Sequence, residues 1–177
     1  MYLPSRHAER RPEVLHALID RHPLGALVRL GAGGPDADHI PFELVPPAAG
    51  QDGPALLRAH VARANPVWRQ DGAPVLVLFQ GASSYISPTR YDLQALGGRE
   101  VPTWDYAVVH ARGRLRTIED GAWILAHMRR TTRRHEGDDG WTVEDAPRDY
   151  IDKLLAATVG IEIAIERLEG KFKRSVE

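Results

Sequence analysis

At 177 residues, with 23 basic and 24 acidic side chains, a net charge of −1 and no cysteine, the chain fits one domain spanning 1–177. Hydrophobic residues make up 43%, enough for one buried core, and the missing cysteines exclude disulfides, thiolate metal sites and a cysteine nucleophile. The near-zero charge argues against a broadly basic nucleic-acid surface.

The longest apolar runs, such as Pro74 to Phe79, are too short to span a bilayer. Met1 to Arg11 is polar and Arg-rich, without the apolar centre of a secretory signal, so a soluble cytoplasmic protein with no membrane partner is expected. Of the 23 basic residues 20 are Arg, which beside abundant Ala, Gly and Pro reads as coding bias.

Pro12 suits the first position of a helix whose Val14, Leu15, Leu18 and Ile19 share one face, and His22-Pro23 ends it. Leu24 to Leu30 reads as a strand, Gly31 to Pro35 as a loop, and His39 to Val45 as a second strand. Pro41 removes a ladder donor there, which puts this strand at an edge or bulge. After a turn region at Pro46 to Pro54, Ala55 to Val61 is a third strand. Asn65-Pro66 starts a short turn or helix around Trp68. Val75 to Gln80 has the apolar character of a central strand, and Tyr85 to Ser87 is a short strand stopped by Pro88. Thr89 to Pro102 is a long connection, and such loops tend to be functional. Trp104 to Ile118 is the longest strand, with Tyr106, Val108 and His110 on one face and Ala107, Val109 and Ala111 on the other. Helices follow over Asp120 to His135 and Pro147 to Thr158, with Gly160 just past the second. Ile161 to Leu168 alternates as a half-buried strand. With no β-α-β alternation, the fold class is mainly β (α+β), an antiparallel barrel or sheet with peripheral helices.

Nucleotide and hydrolase signatures are missing. Gly31-Ala-Gly-Gly34 leads into Pro35 and a strand, and Gly81-Ala-Ser-Ser84 lacks the second glycine of a nucleophile elbow. Among eight histidines, His39, His60 and His110 lie on separate strands. Local hydrogen bonding or a phosphate ligand explains them better than a His₃ metal site, because no carboxylate or thiol accompanies them. Arg129, Arg130, Arg133 and Arg134 form a basic stripe that suits DNA phosphates, but Glu136, Asp138 and Asp139 offset it and direct DNA binding is weakly supported.

Four segments mix polar anchors with special backbone positions at strand ends. They are His39-Ile-Pro-Phe42, His60-Val-Ala-Arg63-Ala-Asn65-Pro66, Tyr85-Ile-Ser-Pro88 and Val101-Pro-Thr-Trp104-Asp-Tyr106. Arg63 and His60 can neutralise a phosphate, Ser87 and Thr103 can donate hydroxyls, and Trp104 and Tyr85 offer flat apolar surface. Together they suit a planar ligand bearing a phosphate, although ordinary loop anchoring uses the same residues.

Those segments, with Met1-Tyr-Leu-Pro4, Arg11-Pro-Glu-Val-Leu-His16, Val108-Val-His-Ala-Arg-Gly-Arg-Leu115, Val159-Gly-Ile-Glu162 and Arg167-Leu-Glu-Gly-Lys-Phe-Lys173, resemble the PaiB family of FMN-binding negative transcriptional regulators across nearly the whole chain. The resemblance implies a homodimeric split β-barrel like that of pyridoxamine phosphate oxidases, with FMN at the subunit interface. By it, His39 and Ile40 contact the flavin from a strand edge, and His60, Arg63 and Asn65 serve its phosphate. Tyr85, Ser87, Thr103 and Trp104 complete the pocket, and Lys171 reaches across the interface. Asp105 stands where the family usually has Asn and Arg90 where it has Trp. The sequence ends at Arg174-Ser-Val-Glu177, short of the family's usual tail. The expected function is FMN binding with a regulatory role exerted indirectly. An FMN-dependent flavin reductase or oxidase, a DNA-binding repressor using Arg129 to Arg134, and a haem-binding split barrel using His110 or His60 are the alternatives.

Overall fold

The computed structural model describes residues 1–48, 50, 52–90 and 101–174. In chain order the elements are β1 (Ala8–Glu9), α1 (Pro12–Arg21), β2 (Leu24–Gly31), β3 (Gly34–Pro41), β4 (Glu43–Val45), β5 (Leu56–Ala62), β6 (Pro74–Ile86), β7 (Thr103–Ile118), α2 (Gly121–Glu136), α3 (Arg148–Ala156) and β8 (Thr158–Lys173). The strands run β3-β2-β6-β7-β8-β5-β4, every pairing antiparallel, with β1 added to β8. The sheet curls until β3 approaches β5 but no ladder closes it. Instead the Asn65 amide donates across the gap to Asp38 Oδ1 at 2.8 Å. This is a split barrel, as the resemblance implies, and it fits the antiparallel barrel or sheet expected from the sequence pattern. Among the described residues no helix is long and apolar enough to cross a membrane.

Alternation fixes the core. Leu27, Leu57, Val77, Phe79, Val109, Ile161 and Ile163 point inward and are fully buried. Helix α1 plugs one end with Leu15, Leu18 and Ile19, and Pro12 opens it as expected. Pro41 ends β3, an edge strand, and the chain there is held by Phe42 N–H donating to the Pro23 carbonyl at 2.9 Å. Helix α2 starts at Asp120, whose side chain accepts from the N–H of Ala122 and Trp123.

Several boundaries differ from the sequence expectation. The strands expected at Val75 to Gln80 and Tyr85 to Ser87 are one strand, β6, because a bulge between Gln80 and Ser83 absorbs the break. Strand β3 begins at Gly34, inside the loop expected over Gly31 to Pro35, and the strand expected over His39 to Val45 divides at Phe42 into the end of β3 and the whole of β4. Strand β8 begins at Thr158, so Gly160 lies within it rather than capping a helix. It pairs with His60 and passes under α2, where an added Cβ would sit 2.5 Å from Trp123 Cζ3. Gly160→Ala should therefore lift α2 and cost about 1–3 kcal/mol, as overpacking does, read as a lowered urea midpoint at unchanged m-value. The connection expected from Thr89 to Pro102 falls largely at 91–100, outside the described residues.

Candidate functional site

Past its bulge β6 continues beside β7 as a ribbon, with Ser83 opposite Tyr106, Ser84 opposite Asp105, Tyr85 opposite Trp104 and Ile86 opposite Thr103. The register brings three of the sequence-selected residues together. Tyr85 and Trp104 meet edge to face at 5.9 Å between ring centroids, both about half exposed, and Thr103 lies next to them. Ser87 follows, its hydroxyl sharing a 2.8 Å hydrogen bond with Thr89. From the end of β8, Lys173 Nζ donates to the Thr103 hydroxyl and, at 2.8 Å, to the Trp104 carbonyl.

Between this ribbon, the end of α1 and the end of β8 lies a cleft of about 970 Å³. Arg21, Arg90, Lys173 and Arg174 line it with positive charge, beside His22. Ser83 and Ser84 add hydroxyls, and Leu18, Tyr106 and Phe172 add apolar surface. Asp105 is its one acidic lining residue among the described residues. Among the described residues, neither Arg21 nor Lys173 has a carboxylate within ion-pairing distance. The cleft is therefore a cationic, hydroxyl-bearing concavity with an aromatic margin, at the upper end of the size range for cofactor sites.

Tyr85, Ser87, Thr103 and Trp104 flank this cleft without lining it, and the remaining sequence-selected residues lie elsewhere. Ile40 is buried in the core. His39 is exposed on the outer sheet face, in a cross-strand row with Ala26, Leu78, His110 and Glu169. On the same face Lys171 Nζ sits over both the Tyr2 and Tyr106 rings, at 5.5 and 5.4 Å. His110 Nδ1 and Glu169 Oε2 are buried there without partners. Burial, then the charges of the N-terminal amine and Arg112, push the His110 imidazole down against the opposing pull of Glu169. His39 and His110 are three strand spacings apart, about 14 Å. His60 is on β5 under α2, so the three strand histidines do not converge. Among the described residues no His, Asp or Glu cluster is placed to hold a metal.

Arg63 is bound to its own fold. Its guanidinium meets Glu119 at 2.6 Å, donates to the Ala156 carbonyl at 3.0 Å and stacks on Trp68. Asn65 caps the following turn by accepting from Val67 N–H at 2.9 Å while its amide reaches Asp38. His60 packs edge to face on His127, with centroids 5.3 Å apart. His127, 1% exposed, donates from Nδ1 to Glu43 at 2.9 Å, and Arg130 bonds the same carboxylate at 2.9 and 3.1 Å. Burial would raise the Glu43 pKa, but the His127 and Arg130 hydrogen bonds and charges outweigh it and hold it at about 2. Burial, then the charge of His127, keeps His60 below its ordinary value.

Arg21, Ser83, Ser84 and Lys173 carry no signal of a flavin site in the sequence, nor does the Glu43–His127 pair announce itself. Lys173 closes a segment already selected, and Glu43 directly follows Pro41-Phe42. The pairing partners, 84 and 70 residues away, carry no local signal.

A family model described as a putative FMN-binding domain matches residues 1–167. The chain belongs to this FMN-binding family. Its cofactor is accordingly a flavin, FMN by the family's description, and the donor set of the cleft fits one: cations for a phosphate, hydroxyls for a polyol and rings for a planar heterocycle. The PaiB resemblance is correct. A Bacillus subtilis relative, "Protease synthase and sporulation protein PAI 2", is 28% identical over 99% of this chain and 82% of its own length. An uncharacterised Aspergillus fumigatus protein is 33% identical over the whole chain and 85% of its own length. Among solved structures, the flavocytochrome Anf3 of Azotobacter vinelandii superposes with a TM-score of 0.73 at 15% identity, over 96% of this chain and 71% of its own. A Mycobacterium smegmatis protein described as binding FAD and heme gives 0.68 at 20% identity, over 96% and 74%. At these identities the FMN-binding family shares the fold with both.

Proposed function

We propose that the chain is a homodimeric, cytoplasmic FMN-binding protein of the PaiB type and a negative transcriptional regulator that acts without gripping DNA itself. The observation that carries the reading is that, among the described residues, the cleft cations Arg21 and Lys173 have no carboxylate within ion-pairing distance, since a doubly charged phosphate is a ligand that would neutralise them. Arg21, Lys173 and Arg174 would hold the phosphate, Ser83 and Ser84 would bond the polyol, and Tyr106, Tyr85 and Trp104 would border the ring. A bound flavin supplies one- or two-electron redox chemistry, and the chain supplies binding and orientation. His39, Ile40, His60, Arg63 and Asn65 lie apart from this cleft within one chain, and Lys171 meets it only at the Tyr106 ring. The implied dimer accounts for part of the gap, because a flavin at a subunit interface can take contacts from two copies.

The outer sheet face supports that dimer. Ala26, Val28, Leu76, Leu78 and Val108 form a half-buried apolar field with the unpartnered His110 and Glu169 atoms among them, while the helices pack elsewhere. A second copy would cover the apolar field and offer partners to those atoms. Titration with FMN should give saturable quenching of flavin fluorescence, and light scattering should report twice the 19.7 kDa chain mass. Absence of quenching at high micromolar FMN rejects the reading. Leu78→Arg should yield the monomer.

An indirect regulatory role fits the α2 stripe. Arg129 pairs with Glu144, Arg130 with Glu43, Arg133 with Asp138 and Arg134 with Asp20, so each guanidinium already has a carboxylate. The second reading, a flavin-dependent oxidoreductase, draws on the flavocytochrome and the flavin-and-haem protein that share the fold. FMN-dependent NAD(P)H consumption would favour it. Its haem-binding form needs His60 or His110 as ligand and predicts a Soret band on haem addition.

A further inference from the structure

We propose that the pocket between β4 and the C-terminal half of α2 is a second ligand site, taking a small, neutral, planar aromatic molecule that carries an amide or hydroxyl group. The pocket measures about 310 Å³ and is walled by the rings of Pro23, Pro41, Phe42 and Trp141, with His60 and Thr132 as polar points. Flat walls of this kind select a flat ligand. The volume stands at the low end of the range for ligand sites, a third of that of the cationic cleft, so a single ring system fits better than a whole flavin.

Charge disfavours an anion. Of the charged lining residues, Arg134 bonds Asp20 at 2.9 Å, Glu43 already serves His127 and Arg130, and Glu136, beside His135, stands at an exposed position where water screens it. His60 selects the polar group. No protein atom bonds either nitrogen of its ring among the described residues: Nδ1 is sealed from solvent, which leaves Nε2 as the open nitrogen. The ring is held in place from behind by His127, itself fixed by Glu43. A neutral imidazole nitrogen is a donor or an acceptor according to tautomer, and amides and hydroxyls can answer either. His60 and Phe42 belong to two of the segments selected from the sequence, yet the flavin cleft uses neither. The two cavities are neighbours, since His22 lines one and the adjacent Pro23 the other.

The test uses benzamide and phenol as probes, with toluene as a probe of similar shape lacking a polar group. Full-length protein labelled with ¹⁵N-histidine is titrated with and without saturating FMN, and the His60 ring resonances are followed. Benzamide or phenol should shift them saturably, toluene should bind about tenfold more weakly, and FMN should change neither result. Trp141→Ala, at a half-exposed position, should loosen benzamide about tenfold, and His60→Phe should abolish the preference over toluene. The proposal is overturned by no saturable shift at millimolar probe, by equal binding of toluene, or by affinity untouched by Trp141→Ala. It is also overturned if FMN displaces the probes, because the pocket would then be part of the flavin site. A protein that fails to bind FMN but passes the probe test refutes only the flavin placement.

Discussion

Glu43→Ala is expected to lower the unfolding free energy by about 3–5 kcal/mol, the usual cost of removing one partner from a buried ion pair. The Glu43 carboxylate is 14% exposed and serves two donors at once, the His127 Nδ1–H at 2.9 Å and the Arg130 guanidinium. Without it His127, 1% exposed, keeps a buried donor with nothing to receive it, and Arg130 loses its anchor on the barrel. The pH dependence separates this loss from a mere cavity. Glu43 is held at about 2 in the folded chain against an ordinary 4.5, so the unfolded state binds the proton more readily. Its contribution is fully present above about 4.5 and disappears as pH falls towards 2. The difference amounts to about 3 kcal/mol, the same order as the mutational cost. Urea melts between neutrality and acid should show the wild type losing this increment while Glu43→Ala stays level with respect to it. His60 acts in another window. Its lowered pKa means that the unfolded state takes up the proton first, so stability falls as pH drops below 6.5 in both proteins. Parallel acid profiles for the two chains would show that the Glu43 pair contributes nothing.

Elements with a strong period were legible because burial enforces the period. Tyr106, Val108 and His110 do face away from the core while Val109 and Ala111 are fully buried, and α1 does bury Leu15, Leu18 and Ile19. The bulge after Gln80 was not legible, since one extra residue in a ladder leaves an interrupted pattern that reads as two strands. Gly113 tells the same story in β7. A Cβ there would run into the Ala164 carbonyl, and the ladder shifts register at that residue, so its glycine marks a close approach set by a strand about fifty residues away. Within the site, residue types were readable and their partners were not. Arg63 has the chemistry of a phosphate ligand, but Glu119 and the end of α3 hold it. Lys173 reaches the cleft only because the β7–β8 register puts it opposite Tyr106. His60 and Phe42 likewise came from segments chosen for one ligand and meet in a separate pocket.

Lys173 is therefore where the flavin placement is most exposed to test. Its position is fixed by two hydrogen bonds, to Thr103 and to the Trp104 carbonyl, so its charge is pre-organised rather than waving on a flexible stem. Lys173→Glu should raise the FMN dissociation constant about 100-fold, combining a lost charge-assisted hydrogen bond with a new like charge beside the phosphate. Lys173→Met keeps the apolar stem and should cost about tenfold, which isolates the charge. Asp105 predicts the opposite sign. It lines the same cleft, and Asp105→Asn, the residue usual in the family, removes an acid from the phosphate's surroundings and should tighten FMN about threefold at low salt, less at high salt. Riboflavin, which has the ring and polyol but no phosphate, should bind all four proteins almost equally. That contrast decides the orientation. If riboflavin and FMN respond alike to Lys173→Glu, the lysine touches the ring or polyol end. If neither responds, the flavin lies outside the cleft. A response confined to FMN, reversed in sign at Asp105, puts the phosphate between the end of β8 and the β6 bulge.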